Sequence, residues 1–99
     1  MILSQTLAGN WVITVANPEE SGWETELASF EVGNTGEESP AREAVLQAAA
    51  AAFCAMVKSL NNPLAQISIV SHNKSAQASM RLRCANLGVA PNHGDVKAA

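Results

Sequence analysis

The chain predicts a small α+β domain in the order β-β-β-α-β-α, a small mixed sheet with one long alanine-rich helix packed across it. Residues 39–60, SPAREAVLQAAAAAFCAMVKSL, carry a complete set of helix start and stop signals. Three short runs rich in β-branched and aromatic residues precede them, each bounded by Gly, Asn or Pro. One more such run and a weaker helical pattern follow. At 99 residues the chain has the size of one domain and needs neither a cofactor nor a disulfide to hold a core. We read residues 1–90 as that domain and 91–99 as a flexible C-terminal tail.

Residues 1–7 read as a short strand, closed by the turn signal Ala8-Gly9-Asn10. Residues 11–16, WVITVA, place Trp11, Ile13 and Val15 on one face and Val12, Thr14 and Ala16 on the other. Apolar side chains on both faces predict a central strand, with Trp11 in the core. After a turn at 17–22, residues 23–32 switch pattern midway. Trp23, Thr25 and Leu27 share one face, then Ala28, Phe30 and Val32 the other. A β-bulge near Leu27-Ala28 is expected to bring both sets to the core.

The helix over 39–60 starts with Ser39 as N-cap and Pro40 at the first helical position, where a missing N–H costs nothing. Asn61, Asn62 and Pro63 stop it. Val45, Leu46, Phe53, Met56, Val57 and Leu60 form a large apolar stripe, with Ala49 among them, expected to hold the sheet. The opposite face, with Ala44, Gln47, Ala48, Ala51, Cys54, Ala55 and Lys58, is small rather than charged. It is either a solvated face of good helix formers or a close-approach surface for another helix, including a homodimer through the alanine face.

Residues 64–71, LAQISIVS, follow a crossover helix and are expected to pair in parallel within the same sheet. Residues 75–87 fit a helix, with Ser75 as cap, an Ala76, Met80, Cys84 and Leu87 stripe and Gly88 as stop. They also fit a strand in which Met80, Leu82 and Cys84 alternate with Arg81 and Arg83. The termination signals favour the helix.

This order resembles the ribonuclease-H-like core of three antiparallel strands, a helix, a parallel strand and a helix. In that family one catalytic carboxylate lies in the first turn of the first long helix, and Glu43 stands near that place. The other two lie in the first strand and at the end of the fourth. Here those places hold Ser4 and Gln5, and Ser71-His72-Asn73. The resemblance covers about 85 residues at the level of topology and implies the fold without its acidic set.

The net charge of −3 is unevenly spread. Residues 1–40 hold seven glutamates and no Lys, Arg or Asp; residues 41–99 hold six Lys and Arg against Glu43 and Asp95. Glu24 and Glu26 share a strand face, with Glu19, Glu20 and Trp23 adjacent, an acidic ribbon suited to steering toward a basic partner. Lys74, Arg81 and Arg83 form a small basic group without the aromatic interleaving of stacking platforms, so direct nucleic-acid binding is not the favoured reading. Cys54 and Cys84 read as buried thiols; Cys54, His72, Cys84 and His93 lack a zinc-type spacing, and no metal or cofactor is expected. The apolar run at 48–57 is too short to span a bilayer, and no basic region after Met1 suggests a signal peptide, which predicts a soluble, cytoplasmic protein. The favoured function is a non-catalytic protein-interaction module, such as a small inhibitor of phage or mobile-element type, docking its acidic ribbon on a basic, nucleic-acid-binding partner. The alternatives are a degenerate ribonuclease-H-like nucleic-acid-binding protein and a small enzyme using Cys84 and His72.

Overall fold

The computed structural model of the chain describes residues 1–16, 24–32, 39–61 and 65–92. Its elements are β1 (Ile2–Gln5), β2 (Trp11–Ala16), β3 (Glu24–Phe30), α1 (Pro40–Leu60), β4 (Ser68–Val70) and α2 (Lys74–Asn86). The α+β class and the element order are those the sequence predicts. The strands form one sheet in the order β3-β2-β1-β4. β1–β2 and β2–β3 are antiparallel, and β4 pairs with β1 in parallel through Leu3↔Ile69. A strand can return to a parallel neighbour only over a long connection, and α1 supplies it.

The register puts Leu3, Trp11, Ile13 and Ile69 on one sheet face, all at 0–1% exposure. α1 adds Ala49, Ala50, Phe53 and Cys54 to this layer, and α2 adds Met80 and Cys84. Full burial of each large apolar side chain stabilises by about 1.5–3 kcal/mol. The other face carries Ser4, Val12, Thr14 and Val70, all half-buried.

The caps of α1 match the sequence reading. Ser39 Oγ accepts from Arg42 N, Pro40 occupies the first turn, and Asn61 ends the helix at φ 50°. The inward face is rotated from the expected stripe. Cys54, assigned to the alanine face, is buried, whereas Leu60 is 43% exposed. The cause is α2, which packs on the flank through Cys54 and pulls the buried arc toward it. Ala44, Ala48, Ala51 and Ala55 remain exposed. These alanines raise the mean hydropathy of α1 to 1.3 over 18 residues, a value a membrane helix also has, while its core-facing side is committed to the sheet.

Three further details depart from expectation. The bulge lies where the sequence places it, because Ile13 pairs with Ala28 and Thr14 with Glu26. Leu27 is the extra residue and stays 46% exposed instead of joining the core; Thr25 is exposed as well. β4 shortens to three residues. Its preceding segment bonds to chain ends instead, with the Met1 ammonium donating to Gln66 O at 2.7 Å and Asn92 Nδ2 donating to Ala65 O at 2.8 Å. The first residues of the expected tail are thus anchored, and 93–99 lie outside the described residues.

Residues 74–86 are helical, capped by Asn73 rather than Ser75: Asn73 Oδ1 accepts from Ala76 N at 3.1 Å. Asn and Ser cap equally well, so two candidates so close together are not separable by type. At the other end Val89 N donates to Cys84 O and Gly88 N to Ala85 O, the paired bonds of a Schellman motif, with Gly88 at φ 92°. A Cβ on Gly88 meets Lys58 Nζ at an ordinary 3.6 Å, so the cost of a side chain there is one of backbone conformation. Gly88→Ala is expected to destabilise the protein by about 1–2 kcal/mol in urea unfolding; an unchanged midpoint contradicts this capping role.

Candidate functional site

Because β1 and β4 run parallel, their C-terminal ends open on the same edge of the sheet. Both helices also begin there. Lys58 Nζ, near the end of α1, donates to Leu87 O at the end of α2, so the helices run in the same sense. A cleft lies among these four ends. Its outer compartment, about 540 Å³, is lined by Gln5, Ser71 and His72, with Leu7 at the rim. Its inner compartment, about 290 Å³, lies between the helices and is lined by Trp11, Glu43, Ser79 and Arg83. Gln5, Arg42, Asn73 and Ala76 line both, so the two compartments are neighbours.

A chain of hydrogen bonds fixes the outer floor. Ser71 Oγ donates to Gln5 Oε1 at 2.5 Å and accepts from Asn73 N at 3.0 Å. Gln5 Nε2 donates to Gly9 O, and Ser71 N donates to Gln77 Oε1. The β1–β2 turn, closed by Gly9 N donating to Thr6 O with Gly9 at φ 94°, leaves Leu7 80% exposed beside the cleft.

The inner compartment gathers an indole and two guanidinium groups. Trp11 is 1% exposed, and its Nε1–H has no acceptor among the described residues. The Nε atoms of Arg42 and Arg83 are likewise buried without a partner. Arg83 spends Nη1 on Glu43 Oε2 at 2.5 Å and on Gln47 Oε1 at 3.2 Å. No carboxylate among the described residues pairs with Arg42. The first turn of α2 adds the positive end of its dipole.

Glu43 is the one carboxylate lining the cleft among the described residues. Its hydrogen bond from Arg83 holds its carboxyl below the usual range, with the charges of Arg83 and Arg42 acting in the same direction. Ser4, Gln5, Glu43 and Ser71-His72-Asn73, the positions singled out by the ribonuclease-H-like resemblance, do gather at this edge of the sheet. Among them only Glu43 is acidic.

The other candidates fall elsewhere. Cys84 is fully buried, and burial pushes its thiol up to about 12, with Cys54 beside it acting in the same direction. Burial raises Cys54 too. Cys84 lies about 15 Å along α2 from the end beside His72, and it lines neither compartment. Lys74 is exposed at the start of α2, Arg81 Nη2 donates to Ile69 O at 3.2 Å, and Arg83 turns to α1. Arg81 and Arg83 thus each contact another element, β4 and α1 respectively. Of the acidic ribbon, Glu26 is exposed on the edge strand β3, and Glu24 pairs there with Ala16 through its backbone. Glu19, Glu20 and Trp23 lie outside the described residues. Among the described residues no group of three His, Cys, Asp or Glu is placed to hold a metal ion.

The sequence reading placed Trp11 in the core and gave Arg42 no role. Arg42 had one signal. A cation in the first turn of a helix opposes the dipole and needs a reason to be there.

The Glu43–Arg83 pair gives a pH prediction. A carboxyl lowered in the folded state contributes stability that is full above its ordinary value of about 4.5 and is lost as pH falls through the lowered value. Between about pH 7 and pH 3 the wild type should lose more stability than Glu43→Gln; parallel declines of Tm in the two proteins would mean that the pair does not contribute.

Comparison with protein-family models, with curated proteins and with solved structures finds no match to this chain.

Proposed function

We propose that the protein is a non-catalytic binding module whose working site is the cleft, and that the cleft receives an oxyanion. The observation that carries this is that two guanidinium groups, those of Arg42 and Arg83, line one compartment with Trp11 and a single carboxylate. Arg42 and Arg83 face one carboxylate, and the first turn of α2 adds to the positive side. An electropositive pocket in a chain of net charge −3 also concentrates its field at one spot.

A non-catalytic role fits the same residues. The Ser71 hydroxyl is held by Gln5 and Asn73 N. Glu43 is bound to Arg83, and both thiols are buried. A nucleophile needs a base within hydrogen-bond reach, and His72 makes no hydrogen bond to any described residue.

Thermal unfolding tests this reading. A ligand that binds only the folded state raises Tm with its concentration. At fixed ionic strength, replacing chloride by phosphate should raise Tm more in the wild type than in Arg42→Ala. Equal shifts in the two proteins reduce the effect to general salt exclusion and sink the proposal.

A second reading rests on β3. It is an edge strand, and Thr25, Glu26, Leu27, Ser29 and Glu31 along it are all exposed. Exposed carboxylates beside unpaired backbone suit a basic partner, the docking mode that the charge pattern suggests. Reversal of Glu24 and Glu26 to Lys should abolish capture of a basic protein partner while leaving the circular dichroism spectrum unchanged. Undiminished capture by the folded double variant removes this reading.

A further inference from the structure

We infer that the outer face of the two helices binds a second copy of this chain, with the α1 helices antiparallel across a two-fold axis. This surface is separate from the cleft and independent of the oxyanion reading: Ala44, Ala48, Ala51, Ala55 and Leu82 line neither compartment.

The first argument is exposure. At about 100° per residue, the four alanines lie roughly 140–180° round α1 from the buried Phe53. They face away from the sheet and are exposed. α1 thus combines a mean hydropathy of 1.3 with only 22% of that stretch buried. The second helix supplies an independent observation. Leu82 stands opposite the buried Met80 and Cys84 and is 63% exposed, with Ala78 and Ala85 exposed beside it. Cys54 meets Cys84 and the helices run in the same sense, so Leu82 is level with Ala52, within the span of the alanines. A single exposed leucine is ordinary. One that extends the apolar face of a neighbouring helix belongs to a patch, and such patches mark contact surfaces.

The second argument is charge. Residues 44–57 hold no charged side chain, where an exposed helix face ordinarily carries several. The charged groups bordering the face are turned sideways. Glu43 pairs with Arg83, Lys58 Nζ donates to Leu87 O, and Arg81 Nη2 donates to Ile69 O. Two α1 helices can therefore meet here without placing like charges opposite each other.

The third argument selects the occupant. The alanines recur at 44, 48, 51 and 55, in steps of four, three and four that read the same in either direction. Antiparallel copies set Ala44 against Ala55 and Ala48 against Ala51, which is the reciprocity a two-fold interface requires. Small residues on both sides let the axes approach to about 8 Å, the low end for packed helices. The area is sufficient. Helices of 21 and 13 residues, each about 10 Å wide, offer about 500 Å² per copy and about 1,000 Å² for the pair, where specific interfaces begin.

The test is sedimentation of the full chain over a range of concentrations. The expected result is a monomer–dimer equilibrium with a dissociation constant on the order of 10 μM, as suits an interface of this size. Ala51→Glu and Ala48→Lys, each alone, should weaken the dimer about 100-fold by bringing like charges together at the axis. Both substitutions in one chain should restore it to within about tenfold of wild type, because each new cation then faces a new carboxylate of the other copy. Leu82→Ala should weaken it about tenfold. Circular dichroism should be unchanged in all four variants, since the sites are exposed and the new residues are good helix formers. A dimer indifferent to both Ala51→Glu and Leu82→Ala uses another surface and overturns the inference. A combined variant that stays monomeric overturns the antiparallel register. A wild-type chain still monomeric at about 1 mM, a hundred times the expected constant, overturns the second copy as occupant. If that monomer co-sediments with phosphatidylcholine vesicles, the face belongs to lipid instead.

Discussion

The parallel pairing of β4 with β1 is the constraint on which the rest of the structure depends. A three-residue strand has little cohesion of its own. It is held by Ile69 in the core, by Ser68 N donating to Met1 O, and by the anchoring of the segment before it to Met1 and Asn92. Once it lies parallel to β1, α1 must cross the sheet to reach it, and α2 must turn back over the same core. Both helices then start where β1 and β4 end. This is the place where open sheets with crossover helices form their ligand crevices, for a reason independent of sequence family. The cleft follows from topology before any of its side chains is chosen.

Side chains then decide what the cleft can hold. A nuclease-like use of this site requires several carboxylates around cations. Here the first strand presents Gln5 and the fourth leads into Ser71, and these two side chains satisfy each other. Glu43 stands at the third position and is bound to Arg83. Its charge offsets one of the two guanidinium groups that line the inner compartment. The carboxylate that the resemblance sets at a catalytic position is thus paired with a cation of α2. The acidic excess of the chain also lies mostly before residue 40, outside α1 and α2, and does not cancel the local field of the cleft.

How much of this the sequence disclosed depends on the range of each interaction. The caps of α1, the bulge at Leu27 and the Gly88 stop are local, set by residues within a few positions of one another, and they are readable. The parallel placement of β4 is readable because few connections are compatible with a strand, a helix and a strand in series. The rotation of α1 is not, because Cys54 is buried by contact with Cys84, thirty residues away. Nor is the length of β4, which is limited by bonds from Met1 and Asn92. The cleft is the extreme case. Trp11, Arg42 and Arg83 lie on three elements and meet only in the folded chain, and each has an ordinary local explanation as core, helix former or surface cation.

Several of the places where local rules fail lie in residues that line the cleft. Arg42 opposes the dipole of α1, Trp11 buries a donor without an acceptor, and the Nε atoms of Arg42 and Arg83 do the same. Elsewhere among the described residues, caps, turns and core packing agree with the fold. Natural sequences tend to violate such rules at functional sites, where a cost to the empty protein is recovered on binding. Thr14 shows the contrast: its Oγ1 is also buried and unpaired, but it stands singly on the opposite sheet face and lines none of the cleft. A single unpaired hydroxyl is a small packing cost. What sets the cleft apart is that side chains from the sheet and from both helices, each with an ordinary local role, line one compartment with two guanidinium groups against a single carboxylate.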